Sequence, residues 1–147
     1  MKRLIVLNRY FFPDHSATSQ ILTDLMFHFA ATGLDVHVVT SRQLYNDPER
    51  QLPATETVSG VSINRISTTE FGRSGLTGRA VDYFSFYASA GRLLHSLLEP
   101  GDTVIAMTDP PLLSIIAMRA AKLRGAHLIN WLQDIYPEIA VELGVHF

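Results

Sequence analysis

Residues 4–40 read LIVLNRYFFPDHSATSQILTDLMFHFAATGLDVHVVT, and three patterns in succession decide the fold. Leu4-Ile5-Val6-Leu7 is an unbroken apolar run, as expected of a strand buried on both faces. Ile21, Leu22, Leu25, Met26, Phe29 and Ala30 then recur at helical spacing, and Gly33 stands where a C-terminal cap belongs. Val36, Val38 and Val39, closing on Thr40, make a second strand. This is a β-α-β unit, short enough for a right-handed crossover that sets its two strands parallel.

The rest of the chain extends that unit. Ser41 to Ser59 carries Pro48, Pro53 and polar residues, and reads as an excursion at the sheet edge. Gly60 turns into a third strand bearing Val61, Ile63 and Ile66, and TTEFGRSGLTGR (68–79) is a glycine-rich loop. A long helix is predicted over Thr77–Leu98, with Tyr83, Phe84, Phe86 and Tyr87 in it, and Pro100-Gly101-Asp102 stops it. Thr103 to Met107 is a fourth strand, Pro111 to Arg124 a helix capped by Gly125, and His127 to Leu132 a fifth strand. YPEIAVELG (136–144) begins one more helix. The predicted class is α/β, a parallel sheet with helices on both faces.

Composition narrows the function. The 147 residues suffice for one domain with a real core, here predicted as a single domain over 1–147. A net charge of -2 argues against a nucleic-acid partner. There are no cysteines, which removes disulfides, zinc-thiolate sites and thiol nucleophiles and fits a reducing compartment. No stretch reaches the roughly 18 apolar residues of a membrane span, and Met1-Lys2-Arg3 with Leu4–Leu7 is too short for a signal peptide. A cytoplasmic location is therefore expected.

In open α/β sheets, ligands bind beyond the carboxyl ends of the strands, where the strand order reverses. For the order 3-2-1-4-5, the loops at that point are NRYFFPDHSATSQ (8–20) and TDPPL (108–112), with QDIYPE (133–138) alongside. Asp14, Ser16 and Thr18 are good N-cap types, and a helix start with free backbone N–H groups also favours an anionic ligand. Tyr10-Phe11-Phe12 either pack beneath the loop or line a pocket. Thr108 or Asp109 as cap, with Pro110 or Pro111 at the first helical position, is a conventional helix start. Trp131, Gln133, Asp134, Tyr136 and Glu138 crowd polar and aromatic groups at a strand's end, and Asp134 reads either as an N-cap or as a functional carboxylate.

Several sharper motifs are missing. No G-x-G-x-x-G or Walker loop follows the first strand, GRSG (72–75) is not a nucleophile elbow, and the histidines lack metal-site spacing. No metal and no cofactor is expected.

Four segments, in order, resemble a known family: the strand leading into YFFPD, then TGLDVHVVTS, DTVIAMTDPPL and INWLQDIYPEIAVELG. They resemble the amino-terminal half of GT-B glycosyltransferases of family GT4, closest to the branch that builds bacterial surface polysaccharides. The resemblance spans nearly the whole chain. It implies a Rossmann-like domain that binds the acceptor across a cleft from a nucleotide-sugar held by a second half. The transfer implied is retaining and needs no metal.

The resemblance assigns Asp134 the catalytic part, orienting an acceptor hydroxyl or stabilising positive charge on the sugar. Where many members carry Gly-Gly, this chain has Ser16-Ala17-Thr18, whose amides and hydroxyls are then expected to cradle phosphate. Asp14, Thr108, Asp109, Gln133 and Glu138 complete the substrate-binding candidates on the same loops. The donor-binding carboxyl-terminal half lies outside these residues, so the chain reads as a truncated domain, inactive alone. The implied partners are a nucleotide-sugar donor and a glycan or lipid-linked acceptor. Arg73 to Arg92, mixing Arg73, Arg79 and Arg92 with Leu76, Tyr83, Phe84, Phe86 and Tyr87, reads either as a core helix with one wet face or as a peripheral contact with the inner face of a membrane. The alternative function is a non-catalytic Rossmann-like binding or interaction module.

Overall fold

A computed structural model describes residues 3–47, 50–69, 71 and 75–133. The elements run β1 (Leu4–Leu7), α1 (Ala17–Ala31), β2 (Val36–Ser41), β3 (Thr55–Val58), β4 (Val61–Ile66), α2 (Leu76–Leu97), β5 (Thr103–Ala106), α3 (Leu113–Arg124) and β6 (His127–Asn130). The sheet order is β3-β4-β2-β1-β5-β6, with every pair parallel except β3 and β4. This is a Rossmann-like α/β fold, and its five parallel strands take the order 3-2-1-4-5, the order on which the location of the candidate loops is conditional.

β1 is fully buried because it is central: Val6 pairs with Val38 on one side and Ile105 on the other. Alternation divides its side chains between two cores. Leu4 and Val6, with Val36, Val38 and Ile105, pack under α1 through Leu22 and Met26. Ile5 and Leu7, with Val39, Val104 and Ala106, pack under α2 and α3 through Phe86, Ala90, Leu94 and Ala117. Phe86, Ala90, Leu94 and Leu98 recur every four residues and are all buried, so α2 is a core helix. α1 ends where Gly33, at φ +87, lets the Leu34 N–H return to the Phe29 carbonyl.

Three local expectations are corrected. Residues 55–58, inside the predicted excursion, form β3, an antiparallel edge strand joined to β4 through Ser59 and Gly60. Both turn residues have positive φ, 49° and 81°, as the tightest hairpin turns require. Ile21 points outward, 53% exposed, because the buried stripe of α1 is centred on Leu22 and Met26. Finally, α3 begins at Leu113 and not at a proline. Leu112, at φ 64°, takes the N-cap position in place of Thr108 or Asp109 and makes no side-chain capping bond. The predicted helix from Tyr136 lies outside the described residues.

Candidate functional site

The chain leaves β1 toward β2 on one side and reaches β5 on the other, so the strand order reverses between β1 and β5. The loops beyond these strands meet there: the Arg9 N–H donates to the Asp109 carbonyl at 3.1 Å. The loop after β2 joins them, since the Arg9 carbonyl accepts from the Thr40 hydroxyl and the Ser41 N–H, both at 2.9 Å. The Trp131 N–H donates to the Ala106 carbonyl at 2.8 Å, which sets Trp131 beside this rim.

Of the three consecutive aromatics, two are structural. Phe11 is buried in the α1-side core and meets Phe27 edge-on at 6.3 Å, and Phe12 lies 5.6 Å from the same ring. Tyr10 turns instead to the rim and meets Tyr45 edge-on at 5.6 Å. The Arg9 guanidinium lies 5.3 Å from the Tyr10 ring centroid and 5.1 Å from that of Tyr83 on α2. A cation between two π faces is held in place without consuming its N–H donors. Tyr87, one helical turn beyond Tyr83, donates its hydroxyl to the Pro111 carbonyl and so fixes the loop after β5.

The polar atoms at this end are unusually open. Asn8 is fully buried and donates its amide to the Tyr10 carbonyl, yet its Oδ1 has no hydrogen-bond partner. Arg9 Nε, Thr108 Oγ1 and Ser16 Oγ are likewise buried and unpartnered. Buried polar groups are nearly always paired, so four such atoms on the loops after β1 and β5 make this end of the sheet the candidate site, although Thr23 Oγ1, Arg65 Nε and Thr68 Oγ1 share that state outside those loops. Burial pushes the Tyr10 phenol up to about 12, with Arg9 opposing and Asp109 adding to the shift. Burial also pushes Tyr87 up to about 12, reinforced by Tyr83 and Asp109. Both phenols therefore stay protonated near neutral pH, as hydrogen-bonding and stacking groups and not as bases.

The sequence candidates separate in space. Asp109 meets Arg9 at the strand ends through its carbonyl, with Thr108 just before it in the loop after β5. Asp14 is a brace: its carboxylate accepts from the Ser16 N–H at 2.8 Å and the Tyr45 N–H at 2.6 Å, tying the first loop to the loop after β2. Ser16 is the N-cap of α1 with no side-chain capping bond, and Ala17 and Thr18 open the first turn, whose amides have no intrahelical acceptor. Gln133 is exposed just beyond Trp131. Asp134 and Glu138 lie outside the described residues.

Arg9, Asn8 and Tyr83 were not among the sequence candidates. The readable signal was a cation placed directly after the central strand; Tyr83 joins it only through the packing of α2. Together these groups offer a guanidinium, open hydroxyl and amide oxygens, and aromatic faces, the chemistry that holds a hydroxyl-rich or phosphate-bearing ligand. Among the described residues no group of His, Asp or Glu is arranged to hold a metal ion, and no helix is long and apolar enough to cross a membrane. No family model, curated protein or solved structure matches this chain.

Proposed function

We propose that this domain is the acceptor-side half of a retaining glycosyltransferase, moving a sugar from a nucleotide-sugar to a glycan or lipid-linked acceptor. The observation that carries the reading is the convergence at one rim of the segments on which the family resemblance rests. The YFFPD loop and the TDPPL loop meet through Arg9 and Asp109, and the start of WLQD lies beside them through Trp131 and Ala106. In this reading the domain works in the cytoplasm, with its rim facing a donor-binding half.

Transfer breaks the bond between sugar and phosphate. Positive charge grows on the sugar ring and negative charge on the leaving phosphate, and fixed dipoles aimed at both lower the barrier. Arg9 and the first-turn amides of α1 are the groups at the rim suited to the phosphate side. Asp134 is assigned to the acceptor hydroxyl or the sugar's positive charge.

The test is transfer of a labelled sugar by this chain with the donor half of a GT4 enzyme supplied in trans. Transfer is expected only with both halves present, and Asp134→Ala should lower it about a hundredfold or more at unchanged melting temperature. Unchanged transfer by that variant would reduce Asp134 to a helix cap. Ligand binding with no transfer under any pairing would favour the non-catalytic binding module.

A further inference from the structure

The loop after β2 presents three exposed residues in a row, Tyr45, Asn46 and Asp47. Tyr45 is 61% exposed although its backbone is fixed from beneath. Its N–H donates to the Asp14 carboxylate at 2.6 Å, and Asp14 is itself buried. Two residues earlier, the N–H of buried Gln43 donates to the Ser41 hydroxyl at 2.8 Å. The backbone that presents Tyr45 is thus held by bonds in which the tyrosine side chain takes no part. An aromatic ring offered to solvent from a braced loop is organised in advance for a ligand.

Tyr10, Tyr45, Tyr83 and Tyr87 are the tyrosines of the described residues, and all four stand at this end of the sheet. They divide the rim into two chemical halves. Around Arg9, held between Tyr10 and Tyr83, the rim is cationic. Beyond Tyr10 it offers the Tyr45 ring, edge-on to Tyr10 at 5.6 Å, followed in the chain by an amide and a carboxylate. A phosphate is disfavoured beside Asp47, and so is a nucleobase that arrives with its phosphates. A neutral sugar ring meets no such repulsion. Its C–H groups, slightly positive, pack on the negative face of an aromatic ring, while its hydroxyls bond to carboxylate and amide groups at the edge.

We propose that Tyr45, Asn46 and Asp47 form a subsite for a neutral pyranose, its ring stacked on Tyr45 and its hydroxyls bonded to Asn46 and Asp47. That this ring is the terminal sugar of the acceptor rests on the sugar-transfer reading; the stacking itself does not. The subsite makes the acceptor a glycan in its outermost residue, and it leaves Arg9, across Tyr10, to phosphate. Binding of a simple glycoside is read without any transfer, so subsite and transfer fail independently.

The test is saturation-transfer NMR of this chain with methyl β-D-glucopyranoside, methyl β-D-galactopyranoside and sorbitol, which has the hydroxyls but no ring. Transfer to the ring C–H protons of at least one pyranoside is expected, and none to sorbitol. Tyr45→Ala should weaken binding at least about fivefold and Tyr45→Phe, which keeps the ring, less than about twofold. Asn46→Ala with Asp47→Ala should weaken it several-fold through lost hydroxyl partners. These side chains are exposed and the Tyr45 N–H keeps its bond to Asp14, so melting temperatures should not move. Leu123→Ser, exposed near the far end of α3, should leave binding unchanged. No transfer to either pyranoside, equal transfer to sorbitol, or undiminished binding by Tyr45→Ala would overturn the subsite. Binding of uridine diphosphate alone, lost in Tyr45→Ala, would overturn it in favour of a stacked base. Glycoside binding at Tyr45 without sugar transfer under any pairing would overturn the transfer reading and leave the subsite standing. Transfer whose acceptor KM ignores Tyr45→Ala would do the reverse.

Discussion

Replacing Asp102 by alanine is expected to lower stability by about 3 kcal/mol, or roughly 10 °C in melting temperature. Asp102 is fully buried at the amino end of the sheet, opposite the candidate site. Its carboxylate accepts from Arg3 Nη2 at 2.6 Å, Arg3 Nε at 3.3 Å and the Glu99 N–H at 2.8 Å. Arg3 precedes β1 and Asp102 precedes β5, so this pair locks the two strands whose other ends form the rim. The expected loss sits at the low end for a broken buried pair because Arg3 is 18% exposed and can turn to Glu99, 3.7 Å away.

The same pair sets an acid limit. Burial alone would raise the Asp102 carboxyl, but the hydrogen bonds from Arg3 and the Glu99 N–H, with the charge of Arg3, outweigh it and hold the group below its usual value. With the native value depressed, the unfolded chain takes up the proton first as pH falls. The stabilisation is therefore complete above the unfolded value of about 4 and is lost as pH drops through the native value. Melting temperatures of the wild type and Asp102→Asn should differ at neutral pH and converge below about pH 4. A gap that stays constant from neutral pH down to acid would contradict this assignment.

Arg65→Ala has the second large expected effect, about 2–3 kcal/mol by denaturant unfolding. Arg65 is buried in β4. Its Nη2 donates to the Phe12 carbonyl at 2.7 Å and pairs with Glu56 of β3 at 2.5 Å, while Nη1 donates to the Pro53 carbonyl at 3.2 Å. Truncation leaves two carbonyls without this donor, whereas Glu56 is partly exposed and regains water. Phe12 belongs to the first rim loop, so faster hydrogen exchange at the Asp14 amide, which donates to the Phe11 carbonyl, should accompany the loss. Lysine at this position, with one ammonium in place of a fork, should not restore it. A loss below about 0.5 kcal/mol would show that the loop is held by other contacts.

The legibility of this fold follows burial. β1 and β5 were readable because strands covered on both faces are apolar throughout or nearly so, and β2 and β4 because valine and isoleucine recur at their buried positions; both patterns survive without knowledge of partners. β3 was not: TETV has one apolar residue, lies at the edge, and becomes a strand only by pairing across the Ser59-Gly60 turn. The start of α3 was misplaced because proline and a preceding Thr-Asp are strong local signals, and here Leu112 takes the N-cap position in a left-handed conformation instead.

The candidate site was legible as a place before it was legible as residues. Strand order alone directed attention to the loops after β1 and β5. The clustering of Arg9, Tyr10 and Tyr83 depends on how α2 crosses the sheet, which no local pattern encodes. Asp14 was a natural ligand candidate from its position before α1, but its two short bonds to backbone N–H groups show the work it does within the protein. Residues that brace a loop and residues that meet a ligand share the same side-chain types, and only the partners distinguish them.

The most direct test of the rim as the binding site is amide chemical-shift mapping of this chain, titrated with a panel of nucleotide-sugars and glycan acceptors. The expected result is saturable shifts concentrated at Asn8, Arg9, Tyr10, Thr108 and Asp109, lost in Arg9→Ala while that variant keeps its fold. Shifts centred elsewhere on the domain, or none with any member of the panel, would contradict a sugar-transfer site at the carboxyl ends of β1 and β5.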